Sequence, residues 1–252
     1  MIIDRDHILS LELIGHATWP ALEEEWLNGW LLRASGGVTR RANSANPVHD
    51  LPINIEVQIQ ASEAWFEARQ LPPVFRLTAA ADPSIDLALD EAGYRRQPGA
   101  LVMTRLLDDG PADATGGVEV ADSASDAWLD LMAEEPGRGG DKREVARQIL
   151  ARITDPAGFA SIGTDEAMQA IGLGVVHDSY LGVFMMQTAA THRRQGLARA
   201  VLAALMEWAR PVGARQVFLQ VHPENQPALA LYGSLGFESQ YEYWYRQPPP
   251  IV

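Results

Sequence analysis

Cysteine is absent from the 252-residue chain, which excludes a disulfide framework, a thiolate zinc site and a cysteine nucleophile. A thiol-free chain suits a reducing cytoplasm, and that location is expected. Basic charge is scarce as well: 20 Lys and Arg stand against 33 Asp and Glu, a formal net charge of −13. A field of that sign repels phosphate backbones, so a nucleic-acid surface would need a concentrated basic patch. The only tight basic groups are Arg40-Arg41 and His192-Arg193-Arg194, each sized for one small anion or for solvent. No stretch approaches the roughly 18 unbroken apolar residues of a membrane span. The amino terminus carries Asp4, Arg5, Asp6 and His7 where an export signal would be apolar. Nucleic acid, membrane and metal are therefore not expected as partners.

What is present is ample apolar material. Hydrophobic residues make up 47% of the chain, enough to bury cores, and the length suits two domains of roughly 100–150 residues. Residues 108–117, small and rich in Gly, Asp and Pro, read as the linker, with a lobe at 1–107 and a domain at 118–252. In the lobe, residues 29–34 and 38–43 flank Ser35-Gly36-Gly37 as a hairpin. Residues 53–60 alternate as a strand (Ile53, Ile55, Val57, Ile59), and 63–69 form a helix. The domain opens with helices at 124–134 and 141–153, the second carrying Val145, Ile149 and Ile153 on one face. Strands follow at 159–162, 168–176 and 180–188, the last two joined by a tight turn at His177-Asp178-Ser179. A helix from Gly196 shows Leu197, Val201, Leu205 and Ala209 at four-residue spacing and ends at Pro211 and Gly213. A strand at 217–221, a helix at 228–234 and a strand at 241–245 complete it.

A weak internal repeat is visible. Residues 82–94 align without gaps on 225–237, matching Asp82 to Asn225, Leu89 to Tyr232 and Gly93-Tyr94 to Gly236-Phe237, and each copy precedes a strand.

The chemistry concentrates at residues 193–199. There a strand ends, Gly196 lets the backbone approach a ligand, and a helix begins whose free N–H groups and positive dipole end suit an anion. Arg193, Arg194 and Arg199 supply charge-assisted donors at the same place.

Together with the strand before it, the strand at 217–221, Asn225 and Leu231-Tyr232-x-x-x-Gly236-Phe237, the turn Arg193-x-x-Gly196-x-Ala198 resembles the GNAT superfamily over residues 118–247. The resemblance implies an α/β (α+β) fold with a mixed, mostly antiparallel sheet flanked by helices and splayed where the pantetheine arm of acetyl-CoA enters, preceded here by a smaller α/β lobe. It implies an enzyme that moves an acetyl group from acetyl-CoA to an amine of a small molecule or peptide in a ternary complex. The alternative is a non-catalytic acyl-CoA-binding sensor. Met186, Gln187 and Thr188 match the strand that pairs with the pantetheine arm. Arg193, Arg194, Gln195, Gly196, Leu197, Ala198 and Arg199 match the pyrophosphate turn, Asn225 a side chain touching coenzyme, and Tyr232 the phenol that protonates the departing thiolate. Gln220 stands where several members carry a glutamate base. Glu134, Glu135, Asp141, His222 or a water chain remain as bases. The first half lacks the turn, and Leu89 stands in place of the phenol. That half resembles a degenerate GNAT lobe in a tandem arrangement, and residues 29–47 resemble the start of bacterial two-part acetyltransferases. Its Arg40, Arg41 and Asn43 reach the acceptor, or the lobe is a scaffold.

Overall fold

The computed structural model describes residues 4–49, 54–107, 117–134 and 141–249. The linker at 108–116, Glu135 and the side chain of Asp141 lie outside them. In chain order the elements are α1 (Arg5–Thr18), β1 (Glu23–Leu27), β2 (Trp30–Ala34), β3 (Ser44–Pro47), α2 (Ile55–Glu67), β4 (Phe75–Thr78), α3 (Pro83–Glu91) and β5 (Arg95–Leu106). Then come β6 (Glu119–Ala121), α4 (Asp126–Ala133), α5 (Asp141–Leu150), β7 (Ala157–Thr164), β8 (Ala167–His177) and β9 (Tyr180–Thr188). The last are α6 (Leu197–Val212), β10 (Gln216–Val221), α7 (Gln226–Ser234) and β11 (Glu238–Gln247). The mixed, mostly antiparallel pairing flanked by helices is the expected fold class. The chain forms two compact units: residues 1–102, 221–226 and 239–252 in the first, 103–220 and 227–238 in the second.

In the first unit β1, β2 and β3 run antiparallel, β3 meets β4 in parallel, and β11 lies antiparallel to β4 with Trp244 opposite Leu77. Strand alternation gives this sheet two unlike faces. Trp30 and Leu32 of β2, Ala45 of β3, and Phe75 and Leu77 of β4 join Ile59, Trp65 and Phe66 of α2 and Ile85 and Leu89 of α3 in one apolar core. The alternate positions are polar and buried: Arg33, Ser35, Ser44, Asn46, Arg76 and Thr78, with Tyr241, Tyr243 and Tyr245 on β11. There α1 packs by charge: Arg76 forks onto Glu12 through Nη1 and Nη2, the latter at 2.9 Å, and Tyr241 donates to Glu12 at 2.7 Å. On the apolar side Arg246 donates to both oxygens of Asp86 at 2.9 Å, and also to Asp90 and the Tyr94 carbonyl, pinning β11 to α3. Gly99 of β5 admits this strand closely, since a Cβ there would run into the Tyr243 carbonyl oxygen.

Two readings of the lobe need correction. Residues 55–60 are not a strand but the first half of α2. Asn54 caps that helix by accepting the Val57 N–H at 3.1 Å. Ile55, Ile59, Ser62 and Phe66 then face inward at helical spacing, while Val57, the residue that completed the alternation, is 60% exposed. Residues 38–43 likewise form no strand; Arg40–Ala42 is a single tight 3₁₀ turn. The cause is the Asn43 side chain. It accepts from the Ser35 and Gly37 N–H groups at 2.7 and 2.9 Å and donates to the Val38 and Thr39 carbonyls at 2.7 and 2.8 Å. With all four of its hydrogen bonds made, Asn43 locks this loop and is not available to an acceptor. The partner of β2 across Ser35-Gly36-Gly37 is therefore β3 at Ser44–Pro47, reached by a longer loop, and a tight hairpin turn sits at Asn28-Gly29, both at positive φ, between β1 and β2.

In the second unit β6, β7, β8 and β9 form an antiparallel meander, and β10 adds to β9 in parallel after the crossover through α6. Glycines on this sheet make room for α6. A Cβ on Gly172 would meet Val201 at 2.7 Å and Met186 Sδ at 2.6 Å, and one on Gly158 would meet the Trp208 ring at 2.9 Å. Across the sheet, Trp128 of α4 donates to the Ala160 carbonyl at 3.1 Å. The α6 helix runs through Pro211 to Val212 before Gly213, at φ 115°, ends it; Pro211 thus lies inside the helix and removes one N–H from the ladder of its last turn.

The internal repeat has a structural counterpart. The α3 helix ends with Gly93 at φ 84° and a bond from the Tyr94 N–H to the Leu89 carbonyl at 2.9 Å; α7 ends with Gly236 at φ 80° and a bond from the Phe237 N–H to the Tyr232 carbonyl at 3.0 Å. Both close by the same left-handed cap. Leu89, fully buried in the α3 copy, acts there by packing alone. Leu89→Ala is therefore expected to destabilise the chain by about 2–5 kcal/mol, whereas the volume-conserving Leu89→Met should cost under about 1.5 kcal/mol. Denaturant unfolding measures both, and equal small losses would contradict this packing role.

Candidate active site

The second unit brings most of the sequence-predicted site residues to one end of its sheet. Strand β9 pairs with β8 up to Val183↔Gly174 and Phe184↔Leu173, then resumes at Gln187↔Ile171, so β9 carries one residue more than β8 in between. Met185, at φ 52°, marks this bulge, which re-aims Met186, Gln187 and Thr188 relative to the regular strand before them. The parallel ladder with β10 spans Gln216↔Tyr180 to Leu219↔Val183, well short of Thr188 where β9 ends. The backbone of Met186, Gln187 and Thr188 thus lies past the β9–β10 ladder.

Beyond β9 the chain makes a short 3₁₀ turn, Ala190–His192, passes through an extended Arg193 and a left-handed Arg194 at φ 60°, and enters α6 through Gly196 at φ 80°, ψ 0°. No side chain caps this helix start, so the first-turn N–H groups, which have no partner four residues back, point out of the helix end. A Cβ on Gly196 would have no heavy atom within 4 Å, and Arg193, Arg194 and Gln195 around it are exposed. Leu197, Ala198 and Arg199 form the half-buried first turn. Arg199 donates from Nη2 to Ser234 Oγ at 2.6 Å, and Ser234 donates to the Leu231 carbonyl at 2.7 Å. This pair ties the start of α6 to the end of α7, the helix that carries Tyr232.

Tyr232 is 7% exposed, its ring 5.8 Å from that of Phe237 and tilted by 56°. Burial pushes its phenol up to about 12, which keeps the proton on oxygen at neutral pH. Asn225 precedes α7 in a turn where its N–H donates to the His222 carbonyl at 2.9 Å, and it groups with the first unit, apart from Tyr232. Gln220 is half-buried on β10. Of the remaining bases, Glu134 is an exposed residue at the α4 end, while His222 accepts the Glu224 N–H on Nδ1 at 3.3 Å. Arg40 lies over the Tyr245 ring at 4.3 Å and donates to the Pro98 carbonyl; Arg41 lies 5.7 Å from the Trp19 ring.

Two features escaped the sequence. One is the bulge, since a single extra residue leaves no compositional trace. The other is the side chain of Gln187, expected to act through its backbone alone: its Nε2 donates to the Leu131 carbonyl of α4 while Oε1 is buried without a partner among the described residues. A cleft of about 650 Å³ lies elsewhere, lined by Phe159, Trp208 and Val212 among others, and includes none of the predicted site residues. Among the described residues no group of three His, Asp or Glu is placed to hold a metal, and no helix is long and apolar enough to cross a membrane.

Comparison with known proteins bears on the family and the fold. Residues 6–246 match the family model described as probable histone acetyltransferase Rv0428c, C-terminal. The chain is 31% identical over 245 residues to the uncharacterized N-acetyltransferase YobR of Bacillus subtilis, covering 96% of this chain and 98% of that one. Among solved structures, a GCN5-related N-acetyltransferase from Kribbella flavida superposes with a TM-score of 0.70 at 19% identity, covering 100% of this chain and 98% of the other. A tandem GNAT protein from the clavulanic acid biosynthesis pathway gives 0.64 at 16% identity over 96% and 89%. With a family model spanning nearly its whole length and a full-length relative at this identity, the chain belongs to the GNAT family of N-acetyltransferases and is an enzyme.

Proposed function

We propose that this enzyme transfers the acetyl group of acetyl-CoA directly to an amine of a small molecule or peptide, both bound at once. The observation that carries the reading is the uncapped start of α6, entered through a left-handed Gly196 directly after a bulged strand. The donor set fits the coenzyme. First-turn N–H groups, the helix dipole and the exposed Arg193 and Arg194 would hold the pyrophosphate. The freed backbone of Met186, Gln187 and Thr188 would pair with the amides of the pantetheine arm, and Asn225 would contact the coenzyme from its turn. Arg199, already bonded to Ser234, positions the turn against α7 more than it binds phosphate.

The chemistry asked of the chain is modest. The amine nitrogen must lose its proton and attack the thioester carbonyl, and the sulfur must leave. A buried phenol donates well to the departing thiolate, because it holds its proton until charge develops on sulfur. Gln220, an amide, cannot take the amine's proton, so Glu134, Glu135, Asp141, His222 or a water chain does. The tandem-lobe proposal follows from α3. Leu89 replaces the phenol and the sequence before α3 carries no counterpart of Arg193-x-x-Gly196-x-Ala198, so the first unit acts as a degenerate GNAT lobe that binds no coenzyme.

Replacing Gly196 by valine should weaken acetyl-CoA binding by at least tenfold, about 1.4 kcal/mol, because a branched Cβ would intrude where the pyrophosphate approaches. The positive φ also strains any L-residue, so Gly196→Asn, which tolerates that conformation, serves as the control for strain alone. Calorimetry showing unchanged affinity in a folded valine variant would remove the turn from the site. The same titration on the wild type should give one acetyl-CoA per chain, and two equivalent sites would refute the degenerate lobe.

Tyr232→Phe keeps the ring and its packing on Phe237 but removes the proton. Coenzyme affinity should hold while kcat falls on the order of 10²–10⁴-fold where chemistry limits turnover. Because burial raises the phenol to about 12, the wild-type rate should not decline through loss of this proton until pH rises toward that value. A phenol near 10 would already be mostly ionised at about pH 10.5. Full activity of the phenylalanine variant with chemistry shown to be rate-limiting would leave proton delivery to water.

A further inference from the structure

Beneath α1 the first unit buries charge where a sheet ordinarily buries hydrocarbon. Glu12 and His16 stand one turn apart on the inner face of α1, and the sheet answers each with an arginine. Arg76 of β4 forks onto Glu12. Arg33 of β2 donates from Nη1 to His16 Nδ1 at 2.9 Å, and from Nη2 to the carbonyls of His16, at 3.3 Å, and Trp19. A guanidinium carries no acceptor, so His16 Nδ1 must be the acceptor and the ring proton resides on Nε2. That Nε2–H is buried with no hydrogen-bond partner among the described residues, and so is the Nε–H of Arg76. The two residues are only 8% and 4% exposed.

The fully buried charge around these two donors is positive, Arg33 and Arg76 against Glu12 alone. Buried Arg33 and Arg76 are met by buried Glu12 and by Glu24, whose carboxylate bonds Arg33 Nε at 2.9 Å from a partly exposed position. Arg40 over Tyr245 and Arg41 near Trp19 add two more cations at the margin. In a chain of net charge −13, this is a concentrated exception. Burial, followed by the fields of Arg33 and Arg76, holds His16 well below its ordinary range, so the ring is a neutral donor and the arginines supply the charge. Buried donors without acceptors in a native fold call for an ion or an ordered solvent molecule, and a positive surround selects an anion.

We propose that His16 Nε2 and Arg76 Nε, backed by the Arg33 guanidinium, form a buried site in the first unit for a small monoanion, a halide or the carboxylate of a compact ligand. Exposure below a tenth at all three residues limits the occupant to a few atoms, which excludes a phosphate ester. The site is independent of the acetyl-CoA reading, and its failure would leave that reading intact.

The test uses the full chain. Thermal unfolding is followed while bromide or acetate replaces methanesulfonate, a bulkier monoanion, at constant ionic strength. At least one of the two should raise the midpoint saturably, as a ligand of the native state does. A response to bromide alone assigns the halide, and a response to acetate alone assigns the carboxylate. His16→Phe removes the donor while keeping a flat ring, and His16→Gln retains an N–H; apparent affinity should fall at least tenfold in the first and less in the second. Crystals of the wild type grown in each salt should show the anion within hydrogen-bond distance of both donors, by anomalous scattering for bromide, and this holds even if the variants fail to fold. The proposal is overturned if neither anion stabilises beyond methanesulfonate, if the response persists undiminished in a folded His16→Phe variant, or if density at the two donors refines as water in both salts.

Discussion

The passage from β9 into α6 rests on a conformational constraint: within three residues the backbone must turn left-handed twice, at Arg194 and at Gly196. Only that reversal brings a helix start back over the end of the strand from which it came. The crossover then lays α6 across β7 and β8, where Gly158, Gly172 and Gly174 accept Val201, Leu205 and Trp208 without clash, and returns the chain as β10 in parallel with β9. The uncapped helix start at the turn and the core packing behind it are two results of the same geometry. Glycine at 196 meets both needs, lacking the Cβ that would strain the backbone and cover the helix end.

The second unit was legible in the sequence because its signals are local and mutually consistent. Four-residue spacing from Leu197 to Ala209 marked α6, and the alternating strands around Asp178 marked the β8–β9 hairpin, whose turn residue is at φ 51°. The resemblance then named Arg193 to Arg199 and Tyr232 as a set. The first unit was harder for a specific reason. Ile55, Val57 and Ile59 satisfy strand alternation, yet Ile55 and Ile59 also satisfy the helical repeat, and the Asn54 cap decides between them. Residues 38–43 look extended until Asn43 is seen to gather four backbone groups into one loop. A side chain that bonds across several residues has no periodic signature.

The two units treat the same helix position differently. Leu89 and Tyr232 occupy equivalent places on helices that close with the same left-handed glycine and the same backbone bond, yet one is pure packing and the other buries a phenol. The first unit places its polarity on the opposite side, where Arg33, Arg76 and three tyrosines of β11 line the sheet under α1. Such a face is costly unless every charge is answered, and the Glu12 fork, the Glu24 pair and the Tyr241 bond answer most of it.

Strand β1 stands at the margin of the sheet, with β2 as its neighbour, and presents three consecutive glutamates, Glu23, Glu24 and Glu25. Each is held by its own unit: Glu23 by Arg69 at 2.9 Å, Glu24 by Arg33, and Glu25 by the Trp65 indole N–H at 2.6 Å. An open strand edge is a template on which another chain can add itself, and charge is a common deterrent. The acidic balance that first argued against nucleic acid thus has a second, local effect. Fixed along the rim by these bonds, the carboxylates set negative charge where the strand of a second copy, carrying the same three glutamates, would have to add itself.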